Sequence, residues 1–518
     1  MTEGHRPHAV VVGGGIAGLT TAYRLARSSN GLPIEVTVLE AASVAGGKLR
    51  TIEVDGLPVE AGADSFVVRK PWAVELCKEL GLGEELLVPG STGAHVWTRG
   101  RLVPFPSKAA FGVPGDVGEL LGWGGLPLPA RLRALGDLLR PARKAGEDES
   151  LGRLVERRLG KRTLEVLVGP LLAGLHAGDP YRLSVRATFP ELRAWERDHG
   201  SLIRGARVAV RSPESGVRRR SPFGGGPRPA PAGATVPMFA TVWGGLSRLV
   251  ETLEAGIGRT RVRVDSPVSG IRAAVAAEAP TSGGGGFVVE VGEERFGADA
   301  VVLATPSFES ARLAAPVNRE ASRELAGISY ASTAVVTLVY PEGTAERVPQ
   351  GTGFVTPLGE RAITACTWVS RKWPDDRFGN RAVVRCFVGR AGAEEALALT
   401  DDRLVATVRG ELESALAMPV DPAGTRVVRW PRAMPQYEVG HLERVRRIEA
   451  ALAGTPGLFV VGSAYEGVGI ADCIRQANEV AGRVRRYLQG SEPAPSGGRR
   501  RAVESAGDVE REAIGWTS

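Results

Sequence analysis

A buried strand that runs straight into a glycine turn and a helix sets the strongest limit on what this chain can fold into. His8-Ala-Val-Val-Val12 reads as the strand, Gly13-Gly14-Gly15 as the turn, and Ile16, Ala17 and Gly18 open the helix. Gly13, Gly15 and Gly18 stand in G-x-G-x-x-G spacing. The first glycine permits the sharp turn, the second lets backbone approach a pyrophosphate, and the third lets helix and strand pack closely. The helix N-terminus then offers unpaired N–H groups to phosphate oxygens. A second strand, Glu35-Val-Thr-Val-Leu39, ends at Glu40, at the spacing expected of a ribose hydroxyl partner. Strand, turn, helix and terminal acid in register read as a dinucleotide-binding βαβ unit rather than a glycine turn with a capping acid.

With 518 residues the chain holds at least two domains. Its formal charge of +7 is concentrated between residues 201 and 235, where seven arginines meet one glutamate among Gly and Pro. This reads as a solvated insertion and not as a nucleic-acid platform, because no basic or aromatic stripe accompanies it. Cys77, Cys366, Cys386 and Cys473 are far apart and have no metal-site spacing, so buried thiols and no metal are expected. No signal peptide and no eighteen-residue apolar run is present, which leads to the expectation of a cytoplasmic protein with at most peripheral membrane contact.

The order of elements points to an α/β fold in which nucleotide-type segments are interrupted by other material. Residues 1–90, 236–310 and 455–488 form one such discontinuous Rossmann-like domain. Residues 91–204 read as mostly helical, on the helical spacing of Leu132, Leu135, Leu138 and Leu139 and of Leu151, Leu154, Val155 and Leu159. Within this block Phe111–Pro129 suits a membrane surface, a hydrophobic substrate mouth or plain domain packing. Residues 311–454 read as a strand-rich substrate domain. The low-complexity segment 205–235 and the tail 489–518 read as disordered.

Further motifs follow the first. Gly46-Gly47-Lys48 offers a second close backbone approach with a cation beside it, or an ordinary turn. Gly62-Ala63-Asp64-Ser65 lets a flat ring lie against backbone, or is a β-turn capped by Asp64. After Gly462, Val468-Gly469-Ile470 opens a helix whose N-terminus suits negative charge on a ring edge. Asp472 reads as a first-turn residue of that helix rather than a catalytic acid. His176, in a small-residue loop, reads as structural before it reads as a pocket residue. No acid–base set stands out, which is compatible with a cofactor performing the hard step.

Several longer strings carry a resemblance. Glu60-Ala-Gly-Ala-Asp-Ser65, Leu171-Leu-Ala-Gly-Leu-His-Ala-Gly-Asp-Pro180 with Leu183-Ser184, Arg429-Trp430 with Pro435-Gln-Tyr-Glu-Val-Gly-His441, and Ala464-Tyr-Glu-Gly-Val-Gly-Ile-Ala-Asp-Cys-Ile474 occur in this order. Together with Gly46-Gly47-Lys48 and Ala304-Thr-Pro306 they resemble the flavin amine oxidase superfamily. Within it they resemble the protoporphyrinogen/coproporphyrinogen oxidases of haem biosynthesis, over about residues 8–203 and 236–488. The resemblance implies FAD over Gly13–Gly18, with Glu40 on the ribose; Ala41, Gly47 and Lys48 are further cofactor-binding candidates. It also implies Gly62, Ala63, Asp64 and Ser65 near the flavin, Val268 on the adenine side, and Trp430, Val468, Gly469 and Ile470 around the isoalloxazine, with Gly462 a further cofactor-binding candidate.

His176 departs from the tyrosine common in that family. The activity implied is six-electron oxidation of coproporphyrinogen III to coproporphyrin III, with dioxygen as acceptor and peroxide released. Protoporphyrinogen IX is the alternative substrate, and downstream haem-pathway enzymes are the partners implied. Another superfamily oxidoreductase and a non-catalytic porphyrin-binding flavoprotein are the competing classes. Four propionates on the substrate call for cations, and Arg69 and Lys70 are the candidates; a solvated charge pair ahead of Pro71 is the other reading.

Overall fold

The computed structural model describes residues 6–27, 33–143, 148–211, 238–258, 261–274, 286–418 and 420–490. A five-stranded parallel sheet forms from segments that are distant in sequence. Its order is Val262–Arg263, Glu35–Leu39, His8–Val12, Ala300–Leu303 and Leu458–Val460. Both faces are covered, which is why its inner strands are near-continuous runs of Val and Leu rather than alternating ones. On one face helix Ile16–Ala26 packs with Ser247–Ile257 and Ile470–Leu488. Against the other lie the antiparallel strands Gly270–Ala273, Phe287–Val291 and Glu294–Ala298, with helices Ser307–Ala314, Arg319–Ala326 and His441–Leu452.

A seven-stranded mixed sheet makes the second layer system. Its order is Gly424–Pro435, Tyr330–Glu342, Arg381–Val388, Ile363–Trp368, Gly353–Val355, His95–Thr98 and Arg101–Pro104. Helix Asp401–Leu416 buries Leu404, Val408, Leu412 and Leu416, a stripe of period four, against Ala334, Val336, Val384 and Cys386 of this sheet. The opposite strand face, carrying Val335, Thr337 and Arg385, is thereby left for the rest of the molecule.

The sequence reading of 91–204 as mostly helical needs correction at its start. His95–Thr98 and Arg101–Pro104 are a hairpin that extends the mixed sheet, because Arg99-Gly100 takes positive φ at the turn. The rest is helical, and Leu151, Leu154, Val155 and Leu159 are fully buried as their spacing demands. Leu132 and Leu139 are not: they are 55% and 89% exposed, since helix Leu128–Leu135 gives way to a tighter turn before the stripe is complete. Helix Leu202–Arg211 also occupies the first part of the segment read as disordered. The remainder of that segment, and the tail beyond residue 490, lie outside the described residues. All four cysteines are buried and unbridged. No helix among the described residues is long and apolar enough to cross a membrane.

Candidate functional site

The glycine turn has the geometry its spacing implies. Gly13 takes φ +108°, and a Cβ there would lie 2.9 Å from the Ala304 carbonyl oxygen. At Gly18 a Cβ would lie 2.0 Å from the Gly13 oxygen, so helix and strand touch through backbone alone. Gly15 differs. Its φ of −73° suits any residue, and its Cβ position meets no atom within 4 Å. Its glycine character therefore answers to something outside the polypeptide, a cradle at the N-terminus of the eleven-residue helix Ile16–Ala26.

Other segments close around that turn. The Gly46 N–H donates to the Gly14 carbonyl at 2.7 Å, and Gly15 and Gly46 bridge as parallel strands do. Gly46-Gly47 is thus laid beside the cradle. The Glu40 carboxylate accepts from the Gly14 N–H at 2.7 Å and the Ala42 N–H at 2.8 Å, leaving a lone pair on each oxygen. Ala41 follows it at the surface. The Ser266 N–H donates to the Glu40 carbonyl, which sets buried Val268 beside this strand end. Lys48 does not lie as a free cation: its ammonium donates to the Ala433 carbonyl at 2.6 Å, and burial pushes its pKa down.

A second group of segments meets some distance along the chain from the cradle. The Trp430 indole N–H donates to the Ala61 carbonyl at 2.8 Å. Its ring edge lies 3.4 Å from where a Gly62 Cβ would stand, and that Cβ would also strike the Lys48 carbonyl at 2.2 Å. The Gly62 carbonyl accepts from the Arg385 guanidinium. Asp64 is an ion-pair centre rather than a simple turn cap. Its carboxylate accepts from Lys372 at 2.8 Å and from the Ser65 hydroxyl at 2.7 Å, with Arg385 at 3.5 Å. Burial raises its pKa, but Lys372 and Arg385 outweigh that and hold it at about 2. Glu60, which accepts from the Leu246 N–H and the Thr51 hydroxyl, is pushed up to about 7 by burial.

The C-terminal string forms a further glycine turn ahead of a long helix. The strand Leu458–Val460 leads to Gly462 at φ +134°, and Gly469 caps the nineteen-residue helix Ile470–Leu488. Tyr437 ties the turn together: its hydroxyl donates to the Ser463 carbonyl at 2.7 Å and accepts from the Gly467 N–H at 2.8 Å. Asp472 sits in the first helical turn, as expected, and grips Lys70 through both oxygens at 2.7 and 2.6 Å. Lys70 is therefore not the free cation the sequence suggested, whereas Arg69 is exposed.

His176 is buried near Lys70 and lies 6.1 Å, ring to ring, from Tyr437. Burial, then the Lys70 charge, pushes its pKa down to about 4, so it is neutral at pH 7. A cavity of about 480 Å³ adjoins it across Gln436, lined by Asp179, Arg182, Tyr330, Glu394 and Glu438 among others. The charged residues of that lining are acidic apart from Arg182, which disfavours an anionic ligand.

Lys372 and Arg385 were not found from the sequence, being more than three hundred positions from Asp64. The available signal was an arginine inside the apolar strand Arg381–Val388, on the face away from helix Asp401–Leu416. The chemistry of the residues present fits FAD: an unobstructed glycine at a helix N-terminus with the Glu40 carboxylate beside it, and an indole against the backbone of Gly62.

Comparison with known proteins agrees. The chain is 34% identical over 494 residues to the coproporphyrinogen III oxidase of Bacillus subtilis strain 168, covering 94% of this chain and all of that protein. It is 35% identical over 475 residues to the coproporphyrinogen III oxidase of Mycobacterium tuberculosis, covering 90% of this chain and 95% of that one. A crystal structure from Exiguobacterium sp. 255-15 superposes with a TM-score of 0.79 at 30% identity, over 93% of this chain and 99% of that one. Cyclohexylamine oxidase of Brevibacterium oxydans shares the fold at a TM-score of 0.64 and 16% identity, over 94% of this chain and 100% of that one. The family described as flavin containing amine oxidoreductase matches residues 16–485, nearly the whole span over which the cradle, the ring site and the two sheets are built, and the chain belongs to it.

Proposed function

We propose that this chain is an FAD-dependent coproporphyrinogen III oxidase of haem biosynthesis, forming coproporphyrin III with dioxygen as acceptor and release of hydrogen peroxide. The observation that carries the reading is the similarity to coproporphyrinogen III oxidases of several bacteria along nearly the full length of both chains. In this reading the parallel-sheet unit is a discontinuous Rossmann-like FAD domain, and the mixed sheet with its helical block is the inserted α+β substrate domain. When bound, FAD supplies a two-electron acceptor for hydride from a methylene bridge of the macrocycle.

The chain's own residues bind and orient. The N–H groups beyond Gly15 hold the pyrophosphate, Glu40 holds the ribose and Val268 packs on the adenine side. Trp430, fixed by Ala61, and Gly62 form one wall of the ring site. The N-terminus of helix Ile470–Leu488 faces the ring edge and favours negative charge there. Lys70, presented by Asp472, and the exposed Arg69 meet substrate carboxylates. The acidic cavity beyond Gln436 turns such carboxylates away.

Protoporphyrinogen IX is the alternative substrate, supported by 30% identity over 500 residues to the chloroplastic protoporphyrinogen oxidase of Nicotiana tabacum. The test is to mix FAD-loaded protein with coproporphyrinogen III under air and count peroxide against porphyrin. Three peroxides per coproporphyrin support the reading, and FAD-loaded protein that forms no porphyrin overturns it.

A further inference from the structure

We propose that Arg385 and Lys372 are positioning residues of the cofactor site: from the mixed-sheet side they clasp the backbone of Gly62–Ser65 in the conformation that receives the flavin. This rests on the cofactor assignment in the reading above and not on its substrate.

The acceptors of this segment are taken, and several of its donors are not. The Ala61 carbonyl accepts from the Trp430 indole and the Gly62 carbonyl from the Arg385 guanidinium. The Asp64 carboxylate has Lys372 on one oxygen and the Ser65 hydroxyl on the other. Ala61 donates its N–H to the Arg50 carbonyl at 2.8 Å and Ala63 to the Lys48 carbonyl at 3.2 Å. The N–H groups of Gly62, Asp64 and Ser65 donate to nothing among the described residues, although all three residues are half-buried. A trans peptide points its carbonyl and its N–H in opposite directions, so holding a carbonyl aims the N–H behind it. Trp430 on Ala61 thereby aims the Gly62 N–H. Arg385 on Gly62 turns the Ala63 N–H onto Lys48. Lys372 anchors Asp64, from which the last two free donors project. Open N–H groups beside an indole suit an aromatic ring with carbonyl and imine acceptors along its edge, which the isoalloxazine has.

Sheet stability does not explain Arg385. The residue is 1% exposed, on the strand face turned away from helix Asp401–Leu416. Its Nε and Nη1 have no hydrogen-bond partner among the described residues, and Nη1 meets Asp64 only as an ion pair at 3.5 Å. Buried donors left unpaired cost stability, and an apolar side chain of similar length would fill the same space at less cost. Asp64 does not require the guanidinium either, because Lys372 reaches the same oxygen at 2.8 Å. The ammonium of Lys372 is itself steadied by the Trp373 and Phe239 rings, 4.7 and 5.7 Å away. What Arg385 does alone is hold the Gly62 carbonyl. Gly62 has no room to shift toward Lys48, since even a Cβ would stand 2.2 Å from that carbonyl. Packing thus sets where the segment lies, and the two cations set which way its peptides face.

The test uses full-length protein freed of FAD and titrated with FAD and, separately, with ADP-ribose, which fills the pyrophosphate cradle but carries no flavin ring. Arg385→Met should raise the FAD dissociation constant about tenfold or more, the worth of one neutral hydrogen bond, and leave that for ADP-ribose within about twofold. Arg385→Lys, which keeps the charge and a donor, should regain at least about threefold of the loss. Lys372→Met should weaken FAD at least about threefold, again with ADP-ribose unchanged. Arg385→Met protein that binds FAD within about threefold of wild type, or loses FAD and ADP-ribose equally, would overturn the assignment. Should Arg385→Met fail to fold, Lys372→Met decides by the same pair of affinities. Wild-type protein that holds FAD no tighter than ADP-ribose would also overturn it. FAD-loaded wild-type protein that forms no porphyrin would defeat the functional reading and leave the clasp standing.

Discussion

Gly15 and Gly18 separate two reasons for being glycine, and replacing each gives opposite outcomes. At Gly15 the backbone is in an ordinary extended conformation and the Cβ direction is open. Gly15→Val should cost the apoprotein no more than about 1 kcal/mol, the difference between glycine and an apolar residue at a helix N-cap. The same side chain stands where a pyrophosphate must come. Losing two charge-assisted hydrogen bonds at about 1.5–3 kcal/mol each removes about 3–6 kcal/mol, or about 10²–10⁴ in the FAD dissociation constant. At Gly18 the added carbon would sit 2.0 Å from a backbone oxygen that cannot rotate away. Gly18→Ala should therefore destabilise the apoprotein by about 1–3 kcal/mol or more through forced separation of helix and strand. Urea unfolding of both apoproteins and FAD titration by fluorescence quenching read the two effects independently. Gly15→Val protein that stays yellow through gel filtration, or unfolds as early as Gly18→Ala, would refute the reasoning.

Three other perturbations have defined outcomes. Glu60 binds its proton more tightly folded, at about 7, than unfolded, near 4.5, so it withdraws up to about 3 kcal/mol of stability as pH rises across that window; Glu60→Gln should flatten the decline, and denaturation midpoints at pH 5 and pH 8 that move in parallel with wild type would contradict this. Arg158 and Asp137 are a fully buried pair in the helical block. Arg158→Met strands the carboxylate and should cost about 3–5 kcal/mol in chemical unfolding, with a loss under 1 kcal/mol counting against it. Trp430→Phe removes only the bond to Ala61 and should weaken FAD by less than about tenfold, a loss of about 1 kcal/mol seen by titration.

The elements that the sequence revealed are those in which local chemistry and tertiary role coincide. The glycine spacing, the Val runs and the caps of the first and last long helices each carry their geometry in a few consecutive residues. The hairpin at 95–104 was missed because its short strands gain their meaning from a sheet edge formed some 250 residues later, at Gly353–Val355. Leu132 and Leu139 misled for the converse reason: helical spacing says which residues share a face, not whether anything covers it. The cofactor end of the site was legible because phosphate recognition uses backbone, and backbone demands glycine. Its charged floor was not. Asp64, Lys372 and Arg385 meet through side chains on three separate segments, and no local pattern encodes an ion pair between them. Lys48 and Lys70 were legible as cations, yet which acceptors they reach is set by the Ala433 carbonyl and the Asp472 carboxylate, far along the chain.

The most direct test of the account is the ratio of kcat/KM for coproporphyrinogen III to that for protoporphyrinogen IX, measured by porphyrin fluorescence with purified FAD-loaded protein under air. The account predicts a ratio well above one, with peroxide formed in step with coproporphyrin. A ratio below one would contradict it and make protoporphyrinogen IX the substrate.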